Sequence, residues 1–397
     1  MPELAYDIVV VGAGPAGGAA ARYAAKGGGR VLIVEEHNEV GVPVNCAEGA
    51  SEGTLRDAGV RPRTPIVSQR IEGVRVYAPN MKCVEIKGGG YTGYVLNRDQ
   101  FDRELVYMAL DSGAEIMLGA RVVDLLFEDG SVRGVVVRRR GELLKIRSGV
   151  VIGADGFYSV VRRRAGLGRI TDLCSCIQYR LANVKLDDPH VIDIYFGSEV
   201  APGGYAWVFP KSDDVANIGL GVRRIHKAPA IEYLKRFVKR DPRFRNAKPI
   251  LINGGPVPVC GPLKRLVADG VMLAGDAAAQ VVPCTGAGIH SSVDAGRMAG
   301  EAAAAAVEEG DTSESFLSRY ESAWSESWGR RMRDSRRVVK ALDRLSDKDL
   351  NTLAEILTAE DVLNLANGVD VAGTVIRIMK RAPVSVIKAI MAYITAK

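Results

Sequence analysis

At 397 residues, with 47% apolar residues and a formal net charge of +6, the chain can hold two or three domains with real cores, and its composition is ordinary. No basic patch interleaved with aromatics appears, which argues against nucleic acid, and the modest positive excess allows only weak attraction to an anionic surface. The chain runs from MPELAYDIV straight into a strand, no apolar run reaches the ~18 residues of a membrane span, and six scattered cysteines form no C-x-x-C pair. A cytoplasmic protein is therefore expected, without signal peptide, disulfide framework or metal site.

Ile8 to Val11 are four consecutive β-branched residues, the pattern of a parallel strand covered on both faces. Gly12-Ala13-Gly14-Pro15-Ala16-Gly17 follows as G-x-G-x-x-G: the first glycine serves a tight turn, the second close approach to a pyrophosphate, the third helix–strand packing. An Ala-rich helix over Ala16 to Ala25 presents its N-terminus to the phosphates, and Val31 to Val34 form the next strand. Glu35, 23 residues after Gly12, stands where a carboxylate meets a ribose hydroxyl and disfavours a 2′-phosphate.

The loop Val42 to Gly49 is rich in Pro, Gly and small residues and contains Cys46, which alone reads as a small buried hydrophobe. Short β-like runs at Gly73 to Tyr77 and Cys83 to Ile86, with a turn at Gly88-Gly89-Gly90, suggest an excursion from the first domain. A helix is expected from Asn97 or Asp99 as N-cap to Gly113, with Arg98 either near a phosphate or solvated at its entrance. Ala120 to Phe127 and Ser131 to Arg138 read as a hairpin through Asp129-Gly130, and Gly149 to Gly156 as a buried strand ending in Gly-Ala-Asp-Gly.

Between Ser175 and Val222 strands dominate, and alternation places Tyr205, Trp207 and Phe209 on one face. A helix over Ala230 to Lys239 and a return strand over Ile250 to Val259 follow. Val271 to Ala274 then stop on Gly275-Asp276, ahead of Pro283-Cys284-Thr285-Gly286-Ala287-Gly288-Ile289 and a helix from about His290 to Glu309 whose free N–H groups suit the electron-rich edge of a flavin. The remainder reads as helical, with a basic stretch from Arg330 to Arg344 and Val384, Ile387, Met391 and Ile394 at helical spacing.

Taken together, G-x-G-x-x-G, Gly-Ala-Asp-Gly and Gly-Asp followed by P-x-x-G-x-G resemble FAD-dependent enzymes of the aromatic hydroxylase fold, over residues 1 to about 310. That resemblance implies an α/β fold: a Rossmann-like FAD-binding domain (1–65, 94–172 and 263–312), an inserted antiparallel-sheet substrate domain (66–93 and 173–262) and a helical C-terminal region (313–397). It assigns FAD to Gly12, Gly14, Pro15, Ala16, Gly17, Glu35, Arg98, Val122, Asp276, Gly286, Gly288 and Ile289.

Within the fold, Pro43 to Gly49 and Tyr205-Ala206-Trp207-Val208-Phe209-Pro210, with Gly219-Leu220-Gly221 beyond, resemble the geranylgeranyl reductase family. There these motifs mark a flavin-side cysteine loop, here Cys46, Ala47 and Gly49, and a lipid wall, here Tyr205, Trp207, Phe209, Gly219 and Gly221. The implied activity is reduction of isolated alkenes in geranylgeranyl chains of archaeal membrane lipid precursors, with Cys46 as proton donor or as a residue shaping the flavin face. Other readings are a flavin monooxygenase of the same fold and a lipid carrier with structural FAD. No second G-x-G-x-x-G stands between an apolar strand and a helix, so an external electron donor (reduced ferredoxin, coenzyme F420 or NAD(P)H) must visit. The basic C-terminal region suits peripheral contact with the inner membrane face.

Overall fold

The computed structural model describes residues 3–88, 92–223, 228–383 and 387. Its largest sheet has eight strands, with a parallel centre in the order Val271–Leu273, Glu142–Gly153, Glu3–Val11, Val31–Val34, Glu115–Met117. Ile8 to Val10 are fully buried, because helices cover the sheet. Strand Glu142–Gly153 begins well before Gly149: its charged first half, to Arg147, pairs antiparallel with Ser131–Arg139, and from Lys145 onward it lies parallel to Glu3–Val11. The hairpin turn forms as expected, with positive φ at both Asp129 and Gly130.

Helix Pro15–Lys26 packs almost backbone to backbone on helix Ile289–Glu309. A Cβ at Gly296 would stand 2.2 Å from the Ala16 carbonyl oxygen, and one at Gly300 2.4 Å from that of Ala20. The G-x-x-x-G spacing thus fixes the closest approach of the two helices.

A second sheet of seven strands runs Lys248–Pro258, Leu173–Ala182, Val215–Val222, Tyr205–Pro210, Val191–Tyr195, Gly73–Tyr77, Cys83–Lys87. It is antiparallel except at one join, where Val191–Tyr195 lies parallel to Gly73–Tyr77, because the earlier excursion returns to this sheet beside a strand more than a hundred residues later. Helix Ala230–Arg240 covers one face through Tyr233, Leu234 and Phe237, in a core with Leu181, Ile218 and Leu220. Gly89 and Gly90 of the expected turn lie outside the described residues. A third sheet, Gly49–Ser51, Gly93–Leu96 and Val67–Ile71, bridges the two larger ones.

After helix Ile289–Glu309 the chain is helical to Arg381, and Ser313, Ser346 and Thr358 side chains cap three of these helices. The basic stretch is partly turned inward: Arg336 reaches Asp172 at 2.8 Å and the Val259 carbonyl at 3.1 Å, and the Arg331 guanidinium lies 4.6 Å from the Trp328 ring centre. Val384, Met391 and Ile394 lie outside the described residues. Among the described residues no helix is long and apolar enough to cross a membrane.

Candidate functional site

The first strand of the parallel sheet stops at Gly12, whose φ of +98° and 2.5 Å clearance from a Cβ position to the Ala154 carbonyl oxygen exclude a side chain. A Cβ at Gly17 would stand 1.9 Å from the Gly12 carbonyl, whereas one at Gly14 would meet nothing within 4 Å and faces an open cleft. Helix Pro15–Lys26 starts there with no side-chain cap, Pro15 in its first turn and no acidic residue. Its first N–H groups therefore face an anion site.

Glu35 closes the next strand, 8% exposed. Its Oε2 accepts the Ala13 amide at 2.8 Å; its Oε1 accepts the His37 amide at 2.9 Å and stands 2.6 Å from His37 Nδ1, which leaves Oε2 the freer oxygen for ribose hydroxyls. Glu36 also lines the cleft, but it pairs with Arg121 and is half exposed. Val122 lines the same cleft and is buried.

At the other end, helix Ile289–Glu309 begins at Gly288, again without a side-chain cap or an acid in its first turn, after Gly286 with φ +66°. Between the two helix starts stands Asp276. A Cβ on neighbouring Gly275 would lie 3.0 Å from Ala16 Cβ, and one on Gly288 3.5 Å from Asp276 Oδ1. Burial pushes the Asp276 carboxyl up, opposed by the charge of Arg98, and among the described residues its carboxylate has no hydrogen-bond donor. A half-buried carboxylate lacking donors fits a polyol chain, and two uncapped helix starts fit a pyrophosphate at one end and an electron-rich ring at the other. The residues present fit FAD.

Arg98 lines the same cleft, where the sequence reading sets it beside the cofactor, and is not a solvated surface charge. Its guanidinium is bidentate to Asp102, with both distances 2.9 Å and side-chain exposures of 15% and 6%. It also lies within hydrogen-bond reach of the Cys46 thiol. The expected N-cap differs too: Asn97 holds the cap position but turns its side chain to the Pro65 carbonyl and Lys211, and Glu48 Oε1 accepts the Arg98 amide at 3.1 Å instead. The Asp of Gly-Ala-Asp-Gly is a local cap as well, accepting the Val160 and Val161 amides at 2.7 and 3.1 Å.

Glu48 is the residue that sequence reasoning missed. With φ +73° and 1% exposure, it sends Oε2 to Arg180 Nη2 at 2.6 Å, Asn217 Nδ2 at 2.7 Å and Lys211 Nζ at 2.9 Å. Its partners come from three different segments of the second sheet. The only local signal was an acid in a loop otherwise built of apolar and small residues, Val42 to Gly49.

That carboxylate pins the Cys46 loop to the second sheet, and three amides complete the fastening. Gln178 donates to the Cys46 carbonyl at 3.1 Å, Asn217 to that of Ala47 at 3.3 Å, and Asn253 to that of Val44. Burial pushes the Cys46 thiol up, opposed by Arg98, so it is a neutral S–H at neutral pH.

Tyr205, Trp207 and Phe209 share a face, while Ala206 and Val208 point into the opposite core. Trp207 donates Nε1 to Gln178 Oε1 at 2.8 Å, so one glutamine ties the indole to the Cys46 carbonyl. Tyr205, its ring 6.0 Å from that of Trp207, donates to the Thr285 carbonyl beside Gly286. A Cβ at Gly219 would lie 2.5 Å from the Trp207 ring, and one at Gly221 2.5 Å from Cys174 Sγ. Those glycines are the floor beneath the wall. Phe209 instead packs on Gly49, where a Cβ would stand 2.6 Å from its ring, and belongs to the seam between the second and third sheets.

Comparison with known proteins finds relatives along nearly the whole chain. A family model for the geranylgeranyl reductase catalytic domain matches residues 172–257, and one for an FAD-binding domain matches residues 5–213. The chain is 41% identical over 387 residues to digeranylgeranylglycerophospholipid reductase 2 of Methanopyrus kandleri, covering 95% of this chain and 97% of that one. It is 43% identical over 364 residues to the digeranylgeranylglycerophospholipid reductase of Methanothrix thermoacetophila, covering 90% and 92%. The crystal structure of a geranylgeranyl bacteriochlorophyll reductase-like protein from Thermoplasma acidophilum superposes with a TM-score of 0.90 at 33% identity, covering 98% and 100%.

Proposed function

This chain belongs to the geranylgeranyl reductase family, and from that membership we propose that it uses FAD to saturate isolated double bonds in the geranylgeranyl chains of digeranylgeranylglycerophospholipids, in archaeal membrane lipid synthesis. The observation that carries the reading is one hydrogen-bonded unit: the Trp207 indole and the Cys46 carbonyl share Gln178, next to a cleft fitted to FAD. Reduced FAD supplies a hydride equivalent; the second hydrogen of a saturated bond must arrive as a proton.

An unpolarised alkene gives the protein no charge to grip, so the residues contribute orientation and exclusion of water. Tyr205 and Trp207 over their glycine floor hold a prenyl chain flat, and the Cys46 thiol, kept neutral by burial, holds the proton. Glu35, the start of helix Pro15–Lys26, Asp276 and the start of helix Ile289–Glu309 bind the cofactor along its length. In this reading the residues around the parallel sheet (1–65, 94–172 and 263–312) form the FAD domain and those of the second sheet (66–93 and 173–262) the substrate domain. The reductant is an external donor that visits. Anaerobic addition of the phospholipid to dithionite-reduced enzyme reoxidises the flavin; unchanged flavin absorbance overturns the proposal.

Two expectations follow from the wall and the cleft. In Glu35→Ala, FAD dissociates more readily by roughly 10- to 150-fold, the equivalent of losing a charged acceptor worth about 1.5–3 kcal/mol. Fluorescence titration of apoprotein with FAD measures it, and an unchanged constant places the ribose elsewhere. In Trp207→Ala, the KM for a C20 prenyl substrate rises more than that for a C5 or C10 analogue, because the longer chain lies along the lost ring. Equal effects on long and short chains would assign Trp207 to packing alone.

A further inference from the structure

Residues 230–248 contain seven Lys or Arg and only two acids, in a chain whose net charge is +6. Arg243 is turned inward to Asp193 at 2.7 Å, and Lys235 pairs with Glu232. Lys239, Arg240, Arg245 and Lys248 are exposed and have no ion pair among the described residues. The chain passes directly from these cations into strand Lys248–Pro258, which forms an edge of the seven-stranded sheet. There Ile250, Leu251 and Ile252 are 60%, 40% and 56% exposed. Ile250 is the extra residue at a bulge in the pairing with Leu173–Ala182, and Ile252 stands opposite Tyr179. Three consecutive large apolar residues on an open edge, beside a cluster of free cations, form one surface.

We propose that this edge docks the protein on an anionic phospholipid surface, with Ile250 and Ile252 entering the apolar boundary and Lys239, Arg240, Arg245 and Lys248 facing the headgroups. The proposal rests on the lipid reading above and locates its membrane face. Charge complementarity selects the occupant: apolar residues beside clustered cations suit the interface of an anionic leaflet. The position is also apt for delivery. Asn253, the residue after Ile252, already holds the Val44 carbonyl and accepts from Gln178 at 3.2 Å, so one step along the strand separates the proposed surface from the Cys46 loop. The basic stretch of the C-terminal helices is a weaker candidate, because Arg331 and Arg336 are engaged within the fold.

Cosedimentation of the FAD-loaded full chain with phosphatidylglycerol or phosphatidylcholine vesicles tests this. Wild type should partition to the anionic vesicles and lose them as salt rises. Ile250→Ser/Ile252→Ser, and separately Lys239→Glu/Arg240→Glu, should each weaken partition by about tenfold. Both variants should keep wild-type flavin reoxidation by detergent-dispersed lipid. Wild-type partition in both variants overturns the proposal, as does a concentration-dependent dimer in analytical ultracentrifugation that the serine pair dissolves. Vesicle binding lost in both variants, with no lipid reoxidising the flavin of any form, would leave the docking edge standing and remove the reductase reading alone.

Discussion

Cys46→Ser slows lipid-dependent reoxidation of pre-reduced enzyme by about 10²–10⁴-fold at neutral pH, the usual contribution of a positioned proton-transfer group, while FAD binding stays near wild type. The thiol sits where burial favours S–H over S⁻ and where Arg98, Glu48, Cys176 and Tyr205 are the titratable or charged groups facing it. Serine keeps the shape but offers a much less acidic proton. Because the thiol titrates above its ordinary range, the wild-type rate should be flat through neutral pH and fall only in alkali, as the proton to be delivered is lost. The serine variant should lack that alkaline fall. Single-turnover stopped-flow absorbance separates this step from the reaction with the donor. Wild-type rates in the serine variant at every pH would reduce Cys46 to a packing residue and move the proton source to water.

Glu48→Ala should destabilise the protein by about 3–5 kcal/mol, the range seen when one partner of a buried ion pair is removed. The loss leaves the cations of Arg180 and Lys211 without the carboxylate that lies 2.6 and 2.9 Å from them, and Lys211 is 6% exposed. Burial already pushes the Lys211 ammonium down, so without Glu48 it is expected to lose its proton or draw in water. The denaturation midpoint of the FAD-loaded chain in urea reports the effect. Adding Lys211→Met to Glu48→Ala should recover part of the loss, because it removes the stranded charge. A midpoint unchanged in the single variant would mean that the two cations find other acceptors.

Local signals gave away the cofactor end of the molecule. The glycine loop, the strand before it and Glu35 are set by steric needs that reach only a few residues, so G-x-G-x-x-G and its spacing name them. The second sheet was also readable, since alternation at Tyr205, Trp207 and Phe209 reports a face. What alternation does not report is the neighbour. Phe209 turned out to lie in a seam against Gly49, and strand Val191–Tyr195 to lie parallel to Gly73–Tyr77, because the pairing joins segments far apart in the chain. The third sheet escaped notice because one of its strands, Gly49–Ser51, has three residues and no apolar pattern. Glu48 was hidden for a related reason: its partners lie 132, 163 and 169 positions away, and each looks like an ordinary polar residue of a strand or turn. Arg98 is a mixed case: its place at the cleft follows from the sequence, whereas its pairing with Asp102 one helical turn on was not read there.

The near contact of helices Pro15–Lys26 and Ile289–Glu309 makes the cofactor cleft a gauge of fixed length. Each jaw is the start of one helix, and the hinge between them is bare backbone at Gly296 and Gly300, with no side chain to compress or repack. The span from pyrophosphate to ring is therefore a property of rigid parts, indifferent to what happens in the loops. The aromatic face of Tyr205 and Trp207 belongs to another sheet and is fastened to this gauge by amides and one carboxylate, so on the proposed function changes of tail length or branching would be met on that face while the calibration of the cofactor stays untouched.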